Sequence, residues 1–480
     1  MKTLRLYRSG LLVALLLSLA AYGSSSPNFT LSLNPTSLTV QQGSSGTTQL
    51  TITPQGGFTG MVSLSLVGAP SGVTLSPTSV NVRGTRPVTQ SLTVRVAGSV
   101  ATGTYNLQVR ATSGRLTKTA NLRLTVNASG GGGGGRKNEP GATWTSRTSQ
   151  GNHLRGVAYG NGLFVAVGGY SDLRSSASVI LTSRDGVSWT QRTSGTDNDL
   201  RSVAYGNGLF VAVGDGGTIL TSPDGVSWTK RTSGGQSLYG VAYGNGLFVA
   251  VGGRSEPWSS ASVILTSRDG VIWTARASGP SNALYSVAYG NGLFVAVGYN
   301  GAILTSPDGV TWTARASGTS NALYGVAYGN GTFVAVGGYS NFESSANVIL
   351  TSPDGVSWTE RTSGTDNDLR SVTYGNGLFV AVGGYSNTKD PESSANVILT
   401  SPDGVTWTAR ASGTSNALYG VAYGNSTFVA VGWNGTILTS PDGVSWTRRT
   451  SGTGSWLLDV AYGNGTFVAV GGGGTILTSP

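Results

Sequence analysis

The stretch Tyr205–Arg231, YGNGLFVAVGDGGTILTSPDGVSWTKR, decides how this chain is read, because close copies of it return down most of the sequence. Tryptophans in a Trp-Thr step stand at Trp144, Trp189, Trp228, Trp273, Trp312, Trp358, Trp407 and Trp446. Tyrosines in a Tyr-Gly-Asn step stand at Tyr159, Tyr205, Tyr243, Tyr289, Tyr328, Tyr374, Tyr423 and Tyr462. The shortest spacing, Trp189 to Trp228, is 39 residues, which suits one four-stranded unit of a repeat. Within the unit, LRSVAYG passes through Asn207-Gly208, the two-residue loop of a right-twisted hairpin, into LFVAVG. A variable link then reaches TILTS, and PDGV turns into SWTKR. The second strand, Phe210–Gly214, is apolar on both faces, so both must be covered, and sheets stacked around a ring supply that cover.

The ends of the repeat region point to closure. It stops at GTILTSP, Gly474–Pro480, one strand short of a unit, and it opens at GATWTSR, Gly141–Arg147, which is the missing strand. The expectation is an all-β chain in which residues 141–480 form an eight-bladed β-propeller closed by an N-terminal strand. Upstream, residues 28–126 alternate apolar and polar positions in short runs broken by Pro and Gly, the pattern of a two-sheet sandwich. SPTSVNV and LRLTV in this stretch resemble bacterial immunoglobulin-like modules of secreted proteins, which implies a spacer or an adhesive surface. Residues 127–140, NASGGGGGGRKNEP, read as a flexible linker. No Gly-Lys-Ser/Thr follows the glycines, so they are no phosphate loop.

Residues 1–23 have the layout of a secretory signal: Lys2, Arg5 and Arg8, then the apolar run Leu11–Leu19, then small residues. The run is too short to span a bilayer. LAAYGSSS is similar to a lipoprotein signal with Tyr22 where the lipidated cysteine would stand, so no lipid anchor is expected. The product is expected to be secreted, periplasmic or on the cell surface, without a transmembrane segment, and monomeric. With no cysteine and the single histidine His153, thiolate chemistry, Cys-based zinc and multi-histidine metal sites are excluded. His153 reads as a loop imidazole, and no cofactor or metal is expected. The net charge of +10 is spread without a basic run, which argues against nucleic acid and leaves a glycan, an anionic polymer or a cell-surface protein as partner.

The recurring SPDGVSW or SRDGVSW resembles the Asp-box of sialidase-like and photosystem II assembly factor-like propellers, one residue tighter than the usual Ser-x-Asp-x-Gly-x-x-Trp. In each turn the carboxylate can accept backbone N–H bonds while the glycine takes positive φ. Asp185, Asp224, Asp269, Asp308, Asp354, Asp403 and Asp442 are therefore read as structural, since an active site needs carboxylates converging on one bond. Arg192, Arg231, Arg276, Arg315, Arg361, Arg410 and Arg449 recur with them and are read alike.

What breaks the repeat points elsewhere. Four links between second and third strands are bare turns, and four are expanded: Gly168–Ser178, Gly252–Ser262, Gly337–Asn347 and Gly383–Asn396. In a meander those links share one face with the connections between blades, and loops on a rigid scaffold are where binding residues collect. The same face receives the start of each inner strand, where the repeat varies: Arg155, Arg201, Tyr239, Tyr285, Tyr324, Arg370, Tyr419 and Leu458. Tyrosines and arginines around a channel mouth can stack on sugar rings and grip carboxylates or sulfates, or they can be packing between blades. Asp197/Asp199 and Asp366/Asp368 are candidate calcium ligands, but two carboxylates are few, and a solvated loop is the expectation.

Three functions follow: a binding or scaffold protein using the loop face, a sialidase-like glycoside hydrolase, or an envelope assembly factor without a small ligand. For the enzyme, Arg155, Arg201 and Arg370 would have to cluster on a carboxylate, and a Tyr-Glu nucleophile pair and an acid/base would be needed. Asp172, Glu256, Glu343, Asp390 and Glu392, all in expanded links, show no such arrangement.

Overall fold

The computed structural model describes residues 26–480 apart from 43–44, 98–99, 128–139, 148–150, 170–177, 232–234, 257–258, 279–281, 339–346 and 386–394, and leaves the side chains of 41, 255–256 and 259–260 undescribed. The signal-like segment, most of the glycine linker and Asp172, Glu343, Asp390 and Glu392 therefore lie outside the described residues, as does the Glu256 side chain. Two compact units divide the chain, Met1–Gly131 and Gly132–Pro480. Among the described residues no helix is long and apolar enough to cross a membrane.

In the first unit, period-two patterning gives each strand one apolar face. Along Gly103–Ser113, for example, Leu107, Val109 and Ala111 are buried and their neighbours are not. Four strands pair in the order Asn28–Asn34, Ser45–Gln55, Val88–Val96, Val73–Ser76, and five in the order Ser37–Gln41, Leu116–Asn127, Gly103–Ser113, Gly60–Val67, Ser79–Val82. The apolar faces meet in one core that includes Phe29, Leu50, Ile52, Leu92, Val109 and Leu124. The result is a two-sheet sandwich.

In the second unit the repeat forms eight four-stranded sheets. The first runs His153–Gly160, Leu163–Gly169, Val179–Ser183, Thr190–Arg192, and six more follow in chain order. The eighth takes Leu457–Gly463, Thr466–Gly471 and Ile476–Ser479 from the end of the chain and its outer strand, Thr145–Ser146, from the start. Thr145 pairs with Thr478, and the Gly141 N–H donates to the Pro480 carbonyl at 3.1 Å. The expected closing strand is thus in place.

The all-apolar second strand is explained by the junctions between blades. Phe210 and Ala212 pack against Val165, Val167 and Ile180 of the blade before, while Val211 and Val213 pack against Phe248 and Ala250 of the blade after. The eighth blade meets the first through Val468, Val470 and Ile476 against Leu154, Phe164 and Leu181, which closes the ring. Full burial of each such side chain is worth about 1.5–3 kcal/mol. Glycine of the Tyr-Gly-Asn step serves the same junction: a Cβ on Gly160 would run into the ring of Tyr205 in the next blade, and Gly463 meets Tyr159 across the closure in the same way. The turn itself is made by Asn207 and Gly208, both at positive φ.

Expanded links depart in part from their reading as loops, for in the sixth blade Tyr385 still pairs with Ala395. In the third blade Leu247–Glu256 and Ser259–Ser267 continue their pairing out to Glu256 opposite Ser259, so the insertion lengthens a hairpin.

Candidate ligand-binding rim

Every inner strand carries a register shift at the variable position. The pairing skips Arg155, Arg201, Tyr239, Tyr285, Tyr324, Arg370, Tyr419 and Leu458, each lying between the two residues where the shift occurs. A β-bulge adds one unpaired residue and re-aims its side chain, so one local device turns eight different residues onto one rim. The bare links arrive on the same rim: Asp215, Tyr299, Trp433 and Gly472 donate backbone N–H bonds to the carbonyls of Asp199, Ala283, Ala417 and Trp456, the residues just before the inner strands.

Three sectors follow around the rim. In the first two blades Arg155 Nε lies 2.5 Å from Asp199 Oδ2, Arg201 Nε lies 3.6 Å from the same oxygen, and Arg201 Nη2 lies 2.8 Å from Asp215 Oδ2. Asp199 is only 8% exposed, and burial pushes its carboxyl above the ordinary value against the pull of Arg155 and Arg201. Desolvation opposes the charge on Arg201, but the hydrogen bond and charge of Asp215, together with Asp199, outweigh it and hold the guanidinium protonated more firmly than usual. The solvated-loop expectation is corrected here. Asp197 and Asp366 are exposed, whereas Asp199 is a buried ion-pair partner and Asp368 a half-buried one.

From the third to the sixth blade the rim is aromatic. Tyr239 and Tyr285 meet edge-on at 5.8 Å between ring centroids, Tyr285 and Tyr324 stack at 5.8 Å, and the Arg370 guanidinium sits 4.6 Å over the Tyr324 ring. Arg370 also reaches Asp368 at 3.3 Å. Burial raises the Tyr324 phenol above its ordinary value, with Arg370 opposing. Arg155 and Arg201 are thus together, but Arg370 is across the ring from Arg201 and engaged with Asp368 and Tyr324. The three do not gather on a common point.

The third sector holds residues that sequence reasoning did not single out. Trp433 and Trp456 stack at 4.8 Å and 27°, and the His153 ring lies nearly parallel to Trp456 at 6.4 Å. His153 begins an inner strand instead of sitting in a loop, and its Nδ1 accepts the Gly473 N–H at 3.0 Å. Asp459, one residue after Leu458, accepts the Val157 and Val460 N–H groups at 2.9 and 2.8 Å, and burial pushes its carboxyl up to about 6. A signal for the tryptophans was present: eight of the eleven occupy the Trp-Thr step, and Trp258, Trp433 and Trp456 do not.

Buried polar atoms in folded proteins nearly always have partners. Four buried side-chain atoms have none among the described residues: Asp199 Oδ1, Gln236 Oε1, Arg370 Nε and Ser479 Oγ. The first three belong to the rim or to the connection that enters it, and they comprise two acceptors and one donor.

The opposite face is uniform. In each Asp-turn one carboxylate oxygen accepts two backbone N–H bonds and a serine hydroxyl, as Asp224 does from Val226 at 2.8 Å, Ser227 at 3.0 Å and Ser222 at 3.0 Å. These bonds, the Ser227 and Val226 N–H groups foremost, hold the Asp224 carboxyl below its ordinary value. Trp228 donates to the Gly225 carbonyl, and Arg231 to the Thr221 hydroxyl. The seven carboxylates are spent on their own turns and do not converge.

Residues 139–260 match the family described as DUF6242 beta propeller domain. No curated protein matches the chain in sequence. Similar solved structures include BamB from Moraxella catarrhalis, at 9% identity and TM-score 0.44 over 70% of this chain and 98% of that one. A chain of the Nidogen/Laminin complex matches at 10% identity and TM-score 0.33 over 52% and 96%. Endo-1,5-alpha-L-arabinanase from Thermotoga petrophila RKU-1 matches at 10% identity and TM-score 0.25 over 69% and 99%. Family match and sheet topology agree that the repeat region of this chain is a β-propeller.

Proposed function

We propose that the protein is a secreted or envelope-associated binding protein whose rim holds a glycan, with the sandwich as spacer. One observation carries this reading: Tyr239, Tyr285 and Tyr324 run in mutual contact along the rim, with the Arg370 guanidinium at one end of the run. A polyhydroxylated ligand answers such a surface, because its ring faces stack on tyrosine while its hydroxyls hydrogen-bond to the polar groups that border the rings. Pairing of the rim arginines with Asp199, Asp215 and Asp368 favours a hydroxyl-rich ligand over a strongly anionic polymer.

The test is an array of neutral and acidic glycans probed with the full chain. Signal on a defined glycan class is expected, falling about tenfold, or about 1.4 kcal/mol, in Tyr285→Ala and in Asp199→Asn. Signal unchanged in both variants would move the site off the rim. Hydrolysis of a fluorogenic sialoside by the same preparation would replace binding with catalysis.

A further inference from the structure

Trp433 and Trp456 occupy positions at which the scaffold has no use for tryptophan. The link position of Trp433 is filled by Asp215, Tyr299 and Gly472 in the other blades with bare links. The position of Trp456, just before the inner strand, is filled by His153, Asp199, Ser237, Ala283, Ala322, Asp368 and Ala417. Both substitutions fall in adjacent blades, and the two rings stack on one another. Trp456 is 46% exposed, whereas the repeat tryptophans sit at blade junctions with their indole N–H bonded to a turn carbonyl. Trp456 thus keeps nearly half of its indole surface in solvent while Trp433 holds the ring in place.

Polar groups lie beside the pair. The loops carrying the two tryptophans are tied by the Gly435 N–H to the Ser455 carbonyl at 2.7 Å. Beside them runs a groove of about 640 Å³ lined by Asn434, Arg448, Thr450, Ser451 and Thr453 among others. On the other side, His153 accepts at Nδ1, which leaves Nε2 as the protonated, donating nitrogen of the neutral ring. A protein partner docking on an exposed indole would call for apolar neighbours around it. Hydroxyls, an amide and a guanidinium line the groove beside it instead. That combination matches a pyranose ring, whose C–H face stacks on an aromatic plane while its hydroxyl edge takes hydrogen bonds.

We propose that Trp456, backed by Trp433 and flanked by His153, is a second saccharide platform on the rim, one that stacks a pyranose ring and orients it through Asn434 and the groove hydroxyls. This rests on the glycan reading of the rim but uses none of the tyrosines that carry it. The test titrates the full chain with neutral hexasaccharides, a β-glucan and a mannan, and with hexagalacturonate, following tryptophan fluorescence and calorimetry. Binding is expected to perturb tryptophan emission. Affinity should fall about tenfold in Trp456→Ala and recover partly in Trp456→Phe, while Tyr285→Ala keeps the emission change at reduced affinity. Near-UV circular dichroism checks that the variants retain the fold. Saccharide binding lost in Tyr285→Ala yet unchanged in Trp456→Ala would sink the second platform and leave the tyrosine rim standing. No binding to any of the three saccharides would sink both.

Discussion

The heptapeptide Thr-Asp-Asn-Asp-Leu-Arg-Ser occurs twice, at 196–202 and 365–371, in blades on opposite sides of the ring, and the two copies do different things. In the first, Asp199 is 7% exposed by side chain and pairs with Arg155 of the preceding blade, while the copy's own Arg201 turns to Asp215 in the link. In the second, the preceding blade offers Tyr324 instead of an arginine and the link offers Gly384 instead of an aspartate. Arg370 then folds back onto Asp368 and over the Tyr324 ring. Identical local sequence, with the same bulge, yields an ion cluster around a buried carboxylate in one place and a cation–aromatic stack in the other. The residues of one blade acquire their chemistry from the neighbours on either side.

The sharpest way to break this comparison is to remove the same aspartate from each copy. Asp199→Ala leaves Arg155 without its counter-ion in a half-buried setting and should cost about 2–3 kcal/mol, less than a fully buried pair because both arginines keep some solvent. Asp368→Ala removes a longer and more exposed contact and should cost less than about 1 kcal/mol. Urea denaturation of the two variants reads the difference directly. Equal losses would mean that the flanking residues do not decide the role.

A second test uses the residue after the arginine, which is Ser202 and Ser371 in the two copies and Asp459 in the eighth blade. The Asp459 carboxyl titrates at about 6 when folded, against an ordinary 3.8. Between those values the folded chain binds more protons than the unfolded one, so this group's contribution to stability is present at low pH and is lost as pH rises through 6. Asp459→Asn keeps an acceptor for the Val157 N–H without the charge. It should therefore raise stability by about 3 kcal/mol at pH 8 and change little near pH 4. A variant no more stable than the parent at pH 8 would show that the carboxylate is solvated at the seam.

How much of this was legible beforehand follows from what enforces each feature. Blade junctions demand the same apolar strand eight times, so the period, the ring and the closing strand through Trp144 could be read from repetition. The bulge could not, because Leu-Arg-Ser reads as an ordinary strand and its extra residue is defined only against a partner. Pairing of Arg155 with Asp199 joins two blades and depends on that bulge. Arg201 with Asp215 depends on the bulge as well, since in the antiparallel hairpin Leu200 faces Gly214 and their successors run in opposite directions. Trp433 and Trp456 carry no repeating pattern, and only the folded ring brings the two together.

The mildest test bears on the face where the two copies should not differ. Asp224 closes the turn of the blade containing the first heptapeptide and Asp403 that of the blade containing the second, and each accepts the same three bonds within a tenth of an ångström. Replacing either by alanine orphans two backbone N–H groups that are already near water, so each should cost about 1 kcal/mol, with a difference between them below about 0.5 kcal/mol. Both carboxyls are held below their ordinary value, with burial opposing the backbone bonds more strongly at Asp403. Their contribution is therefore present above the unfolded value and is lost as pH falls through the folded one, opposite in sign to Asp459. Equal costs at Asp224 and Asp403 beside unequal costs at Asp199 and Asp368 would place the divergence of the two copies on the rim alone. A matching disparity at both faces would mean instead that the two blades differ in overall rigidity, and the contrast drawn from their neighbours would lose its ground.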